Sequence, residues 1–232
     1  MELDGKRVLV AGATGVLGGL LARELIAQGA RPALAGRDGE RLAALGRELD
    51  APTAALELRD PDSPRACVQD AADALGGLDG LVVATGAVAF GSASELDDGV
   101  ARDLFTINAL GPIALVRAAL ERFEAPGAIV ALSAVVADHP TAGMAAYSAS
   151  KAALSAYLTA LRREGRRDGL VVLDVRPQHM DTGFATRALS GELPALPEPG
   201  DHHAVARQIV GALREERRTL AYDLKQRSLI AG

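Results

Sequence analysis

KRVLVAGATGVLGG, residues 6–19, sets a short apolar run directly against a glycine-rich turn. Lys6–Ala11 reads as a strand, and Gly15–Gln28 as a helix whose apolar positions recur at helical spacing. Between them, glycine lets the backbone turn tightly and approach an anion with no Cβ in the way. The helix start adds unpaired N–H groups and the positive end of its dipole. A phosphate-bearing ligand fits this turn better than an ordinary bend does, and Gly12, Thr14, Gly15, Val16 and Leu17 are its expected contacts.

The same alternation continues outward from that stretch. Pro32–Ala35, Thr53–Leu58, Gly80–Thr85, Ala128–Leu132 and Leu170–Val175 read as further strands. Gly39–Leu49, a helix opened by Asp60-Pro61, a largely helical segment from about Glu95 to Phe123, and Ala145–Arg166 fall between them. Strands this uniformly apolar are buried on both faces, and helical crossovers make them parallel. The expectation is one α/β domain over residues 1–232: a doubly wound parallel sheet in three layers, α/β/α. Thr182–Asp201 breaks the pattern with three prolines and three glycines. Long irregular segments in compact domains are often functional, which makes 182–201 a candidate substrate loop.

Composition narrows the function. A net charge of −5 without a long charged run argues against nucleic acid or an anionic membrane as partner. The single Cys67 excludes an intramolecular disulfide and a cysteine-only metal cluster, and the dispersed His139, His179 and His202-His203 give no metal constellation. The first residues lack the basic start and long apolar stretch of a signal peptide, and no run of about 18 apolar residues occurs. A soluble, cytoplasmic protein is expected.

In a doubly wound sheet, ligands bind beyond the carboxyl ends of the strands. Gly12–Gly19, Gly86, Ser133 and Pro177 all fall at such ends. The second strand closes on Ala35-Gly36-Arg37. A carboxylate at that place would bond the ribose hydroxyls of NAD, whereas Arg37 can fork onto a 2′-phosphate, so NADP(H) is favoured over NAD(H). Tyr147-Ser148-Ala149-Ser150-Lys151 puts a phenol and an ammonium on one helix face at i and i+4. A phenol is a poor base at neutral pH, and a cation beside it stabilises the phenolate. With three tyrosines and three lysines in 232 residues, chance gives this spacing in about one such sequence in 25.

With these residues, the chain resembles the short-chain dehydrogenase/reductase family over essentially its whole length. The resemblance rests on the glycine turn, Asn108 in Phe-Thr-Ile-Asn-Ala, Ser133, Tyr147-x-x-x-Lys151, and Pro177 with Thr182. It implies a Rossmann-fold dehydrogenase or reductase acting on a small carbonyl or alcohol substrate. Tyr147 would be the acid/base, Lys151 the ribose-binding and tuning residue, Asn108 the holder of a relay water, and Ser133 the contact to the substrate oxygen. Thr182 would meet the nicotinamide, and the backbone near Leu58 the adenine. A homodimer or homotetramer is implied through the long helices near Glu95 and Ala145.

The sequence also departs from the family pattern. Val83-Ala84-Thr85-Gly86 replaces the usual Asn-Asn-Ala-Gly, Glu57 stands for an aspartate, and Gln178 replaces the glycine after Pro177. The serine's usual place, thirteen residues before the tyrosine, holds Ala134, with Ser133 one position earlier. Either the loop Ala134–Ala146 shifts by one residue and brings Ser133 into use, the favoured reading, or the substrate-oxygen contact is weakened. Two rival functions follow: a non-redox epimerase, dehydratase or cyclase on the same scaffold, and a nucleotide-sensing regulatory protein.

Overall fold

The computed structural model describes residues 1–232, the side chain of Ala125 excepted. In chain order it holds β1 (Arg7–Ala11), α1 (Val16–Ala27), β2 (Arg31–Gly36), α2 (Gly39–Leu49), β3 (Thr53–Ala55), α3 (Ser63–Leu75) and β4 (Leu78–Val83). Then come α4 (Asp98–Phe105), α5 (Gly111–Leu120), β5 (Phe123–Leu132), α6 (Ala145–Glu164), β6 (Val171–Arg176), α7 (His202–Arg214), β7 (Thr219–Asp223) and β8 (Ser228–Ala231). One eight-stranded sheet runs in the order β3-β2-β1-β4-β5-β6-β7-β8. Its neighbours are parallel except β7 and β8, which form an antiparallel hairpin.

Alternation along the apolar strands feeds two cores. Leu9, Leu81 and Ile129 face α3, α5 and α6, while Val10, Val82 and Val130 face α1 and α7. These central strand residues are essentially inaccessible to solvent, so the doubly wound, three-layer reading holds. The reversal of strand order between β1 and β4 opens a crevice at their carboxyl ends.

Several local readings need correction. The third helix begins at Ser63 with Pro64 in its first turn; Asp60 instead accepts from the Asp62 N–H, and that bond makes a turn ahead of the helix. β3 stops at Ala55, so Leu56–Leu58 leaves the sheet toward the crevice. The C-terminal α7, β7 and β8 lie outside the strands read from the sequence. Asp201 starts α7 by accepting from the N–H groups of His203 and Ala204, which makes His202-His203 first-turn helix residues.

The continuous helical run Asp98–Leu120 is long and apolar enough to cross a membrane by length and composition, with mean hydropathy 1.3 over its most apolar window. In the fold, 56% of that window is buried within the domain. Phe105 and Leu110 remain exposed on it.

At the opposite, amino ends of the central strands, Arg7 at the start of β1 clamps Asp79 of β4. Asp79 Oδ2 accepts from Arg7 N at 2.9 Å and Nε at 2.8 Å, and Oδ1 accepts from Nη2 at 3.0 Å. These bonds hold the Asp79 carboxyl below its ordinary value. A carboxylate depressed in the folded state stabilises above its unfolded pKa and loses that contribution as pH falls through the folded one. We therefore expect Asp79→Asn to lower stability at pH 7 by about 1–2 kcal/mol. In urea titrations the gap from the parent should close below about pH 4.

Candidate active site

The carboxyl ends of the central strands border a cleft of about 1010 Å³. It brings together Gly12, Thr14, Gly15, Val16 and Leu17 from the first turn, Arg37 beyond β2, Leu58 and Gly86. Ser133, Tyr147, Lys151, Pro177 and Thr182 border it as well. The convergence read from the sequence is thus a single site in space, and Asn108 packs directly behind it.

Its phosphate end is built by close backbone contact. Gly12 has φ +86°, and a Cβ there would lie 2.8 Å from the carbonyl carbon and oxygen of Ala84. A Cβ on Gly18 would overlap Gly12 O. The turn can therefore lie flat on β4 and deliver α1 to the cleft. Gly15 starts that helix in extended conformation without a capping side chain, and no acidic residue occupies its first turn. The helix N–H groups are left facing the cleft, where an anion satisfies them. At the end of β2, a Cβ on Gly36 would press on Thr14, which keeps that floor flat.

Arg37 is exposed beside this floor. Sequence reading missed Arg41, whose Nη2 donates to Thr14 O at 2.8 Å and so lies against the same turn. The available signal was its place four residues after Arg37, on the first turn of α2. Asp38, between them, accepts from Arg41 N and caps α2. Arg59 also borders the cleft, but its guanidinium is paired with Asp103 at 2.7 Å. Leu58 is buried against Gly111, where a Cβ would come within 2.9 Å of it.

The reacting end centres on Gly86. A Cβ there would sit 3.3 Å from Lys151 Nζ, 3.4 Å from Asn108 Oδ1 and 3.6 Å from the Phe184 ring. Asn108 is fully buried in a π-helical turn, Thr106–Leu110, that joins α4 to α5. Such wide turns free main-chain groups from the regular ladder and recur at functional sites. Both amide hydrogens of Asn108 are committed, one to Ala87 O at 2.8 Å and one to Ser150 Oγ at 3.0 Å, while Oδ1 accepts from Ala87 N. Its side chain fixes the Gly86-Ala87 backbone and α6 in one frame.

Lys151 is 3% exposed, and its Nζ donates to Leu132 O at 2.9 Å. Burial lowers its pKa to about 8, against an opposing pull from Asp174. Tyr147 is also buried, and burial pushes its phenol above the ordinary value. Desolvation dominates at the phenol, while Lys151 Nζ donates to Leu132 O. The Tyr147 and Phe184 rings lie 6.5 Å apart, tilted by 48°. Phe184 was missed because an aromatic in an irregular loop has no periodicity to betray it.

Ser133 requires a correction. Its hydroxyl donates to Asp174 Oδ1 at 2.5 Å, with Val175 O at 3.3 Å. That single proton is committed to β6, whose Asp174 and Val175 supply the acceptors. Ala134 is the residue that packs in the Tyr147 cluster, with Val136 and Phe90. No one-residue loop shift has brought Ser133 into the serine's place.

Two buried polar atoms bordering the cleft, Thr85 Oγ1 and Gln178 Oε1, have no partner among the described residues. Buried polar groups are normally satisfied, so each is a ready contact for a ligand. The 182–201 segment is tied down, with Leu189 N donating to Val88 O and Phe90 N to Ser190 O. Phe184, Leu196 and Glu198 from it border the cleft, as do His139 and His179; burial holds His179 below its ordinary pKa. An uncapped helix, a flat glycine floor, two arginines and an orphaned hydroxyl together fit a phosphorylated dinucleotide.

A family model described as short chain dehydrogenase matches residues 6–192. The chain is 31% identical over 202 residues to the dehydrogenase/reductase SDR family protein 7-like of Anopheles gambiae, which covers 82% of this chain and 64% of that protein. It thus spans less than two thirds of that relative's length. Among solved structures, a short chain dehydrogenase from Burkholderia cenocepacia J2315 in complex with NADP has a TM-score of 0.81 at 29% identity, over 92% of each chain. A blue fluorescent protein from a metagenomic library, in complex with NADPH, has a TM-score of 0.85 at 25% identity, over 96% of this chain and 98% of that one. With the glycine turn, Tyr147 and Lys151 gathered on one cleft and a family match over most of its length, the chain belongs to the short chain dehydrogenases.

Proposed function

We propose that this chain is an NADP(H)-dependent oxidoreductase that interconverts a carbonyl and a secondary alcohol, with Tyr147 as acid and base. The observation that carries the reading is the meeting of Tyr147 and Lys151, framed by Asn108, with an anion-binding turn on one cleft. A nicotinamide bound there supplies or accepts the hydride; the protein contributes position and electrostatics.

Each residue has a task that follows from its surroundings. A phenol pushed up by burial is protonated at neutral pH, which suits it to donate to a carbonyl oxygen as reduction proceeds. In the reverse direction the phenolate needs a neighbouring cation, and Lys151 is the buried cation on the same helix face. One of the three Lys151 N–H bonds goes to Leu132 O, leaving two for a ribose hydroxyl and the phenol. Asn108 keeps the Gly86-Ala87 backbone and α6 in register; any relay water would be held through its main chain or the remaining Oδ1 lone pair. Thr182 and Pro177 border the nicotinamide end, and Leu58 the adenine end. Arg37 and Arg41 are the donors for a 2′-phosphate.

A second reading draws on one observation. Ala134 brings no hydroxyl to the Tyr147 cluster and Ser133 is bound elsewhere, which leaves the substrate oxygen with the phenol as its donor. Weak stabilisation of that oxygen would also suit an isomerase or dehydratase on the same scaffold. Following nicotinamide absorbance with a panel of ketones separates the two, because turnover without net change in NADPH favours the non-redox enzyme.

Three variants test the proposal. Tyr147→Phe should lower kcat by about 10²–10⁴-fold with NADPH affinity retained in fluorescence titrations; unchanged turnover would remove the tyrosine from the mechanism. Ala134→Ser, adding a donor beside the phenol, should raise kcat/KM for ketone reduction by about tenfold. Arg37→Ala combined with Arg41→Ala should weaken NADPH binding by about tenfold or more while leaving NADH little changed. Equal losses for both cofactors would refute the 2′-phosphate assignment.

A further inference from the structure

Asp174 is a carboxylate in the middle of β6 with 1% exposure, a placement that proteins rarely tolerate without a partner. It pairs in register with Ala131 of β5 and shares the α6 side of the sheet with Val172, against Leu154 and Leu158. Oδ1 accepts from Ser133 Oγ at 2.5 Å, and Oδ2 from Ser155 Oγ at 2.6 Å. Arg176 Nε approaches Oδ2 at 3.4 Å, while its Nη1 holds Asp138 at 2.7 Å.

These partners surround the catalytic lysine. Ser155 stands four residues beyond Lys151, one turn along the same face of α6. Leu132, whose carbonyl accepts from Lys151 Nζ, directly precedes Ser133. The end of β5 thus grips the amine with one residue and the carboxylate with the next. Asp174 is also close enough to Lys151 for its charge to oppose the loss of the lysine's proton. An asparagine offers one accepting oxygen and could take only one of these two hydroxyl protons. The aspartate is distinguished by its second acceptor and by its negative charge, and the charge is the part that reaches the lysine.

We propose that Asp174, seated by Ser133 and Ser155, is a positioning residue whose buried negative charge keeps the Lys151 ammonium protonated behind the cofactor cleft. The assignment rests on the oxidoreductase reading for its purpose, though the charge coupling is measurable without any turnover. It also gives Ser133 a role in the site, acting through Asp174 from a distance. The other charges facing the pair are Arg162 from α6, Arg176 from β6, and Asp138 behind Arg176.

The chain holds just three lysines, Lys6, Lys151 and Lys225, so protein labelled with ¹³C at lysine Cε gives three resolvable titrations. Lys6→Arg and Lys225→Arg identify two of them. In the parent protein the Lys151 signal should titrate at about 8. Asp174→Asn should move that midpoint to lower pH by about one unit or more, and Asp174→Glu should return it toward the parent value. Arg176→Gln removes the cation that competes for Asp174 at Oδ2, so it should move the midpoint upward. An unchanged midpoint in folded Asp174→Asn overturns the proposal. Should Asp174→Asn fail to fold, an unchanged midpoint in Arg176→Gln overturns it instead. Turnover of the ketone panel without net change in NADPH would sink the oxidoreductase reading and leave this charge coupling standing.

Discussion

Backbone lies on backbone where the turn after β1 crosses the end of β4, and the site depends on that contact. Gly12 rests against Ala84 at a distance that leaves no room for a Cβ. Because the turn lies flat, α1 starts at the level of the sheet edge and its free N–H groups open onto the cleft. The same flatness lets the chain after β4 reach Gly86, over which Lys151, Asn108 and Phe184 converge. A side chain at Gly12 would lift the turn and separate the anion-binding end from the reacting end.

The second constraint is polar. Buried within the carboxyl half of the sheet are Asn108, Ser133, Ser150, Lys151 and Asp174. Each desolvated group has a partner, and the partners come from different elements: β5, β6, α6, the π-helical turn and the backbone after β4. A network whose members satisfy one another across several elements costs stability if any one is missing. That interdependence fixes α6 in rotation about its axis, which in turn decides where Tyr147 and Lys151 point. Apolar packing alone would hold the helix on the sheet with less control over its rotation.

The sequence made the sheet legible because buried parallel strands appear as apolar runs and the turns between them end in glycine, serine or proline. The residues around the cleft were legible for the same reason, since strand ends and the i, i+4 spacing on α6 need no tertiary information. Ser133 was misread because its hydroxyl is claimed by Asp174 on the neighbouring strand, a partner that only the sheet's strand order brings beside it. Arg41 and Phe184 were missed because an arginine in a helical first turn and a phenylalanine in a loop look ordinary until the fold places them. The C-terminal hairpin escaped because its two strands are short and partly exposed, without the apolar runs that mark central strands.

That hairpin determines how the sheet meets its surroundings. A sheet ends wherever unpaired N–H and C=O groups line its margin, and such margins can recruit further strands. Here one margin is β3, three residues long, and the other is β8, four residues long and antiparallel to its single neighbour β7. Lys225 and Arg227 sit in the bend that leads into β8. Both rims are brief, and two cations precede one of them, features that discourage growth by backbone pairing. A second copy of this chain, to dock at all, would have to use side-chain surfaces rather than these margins.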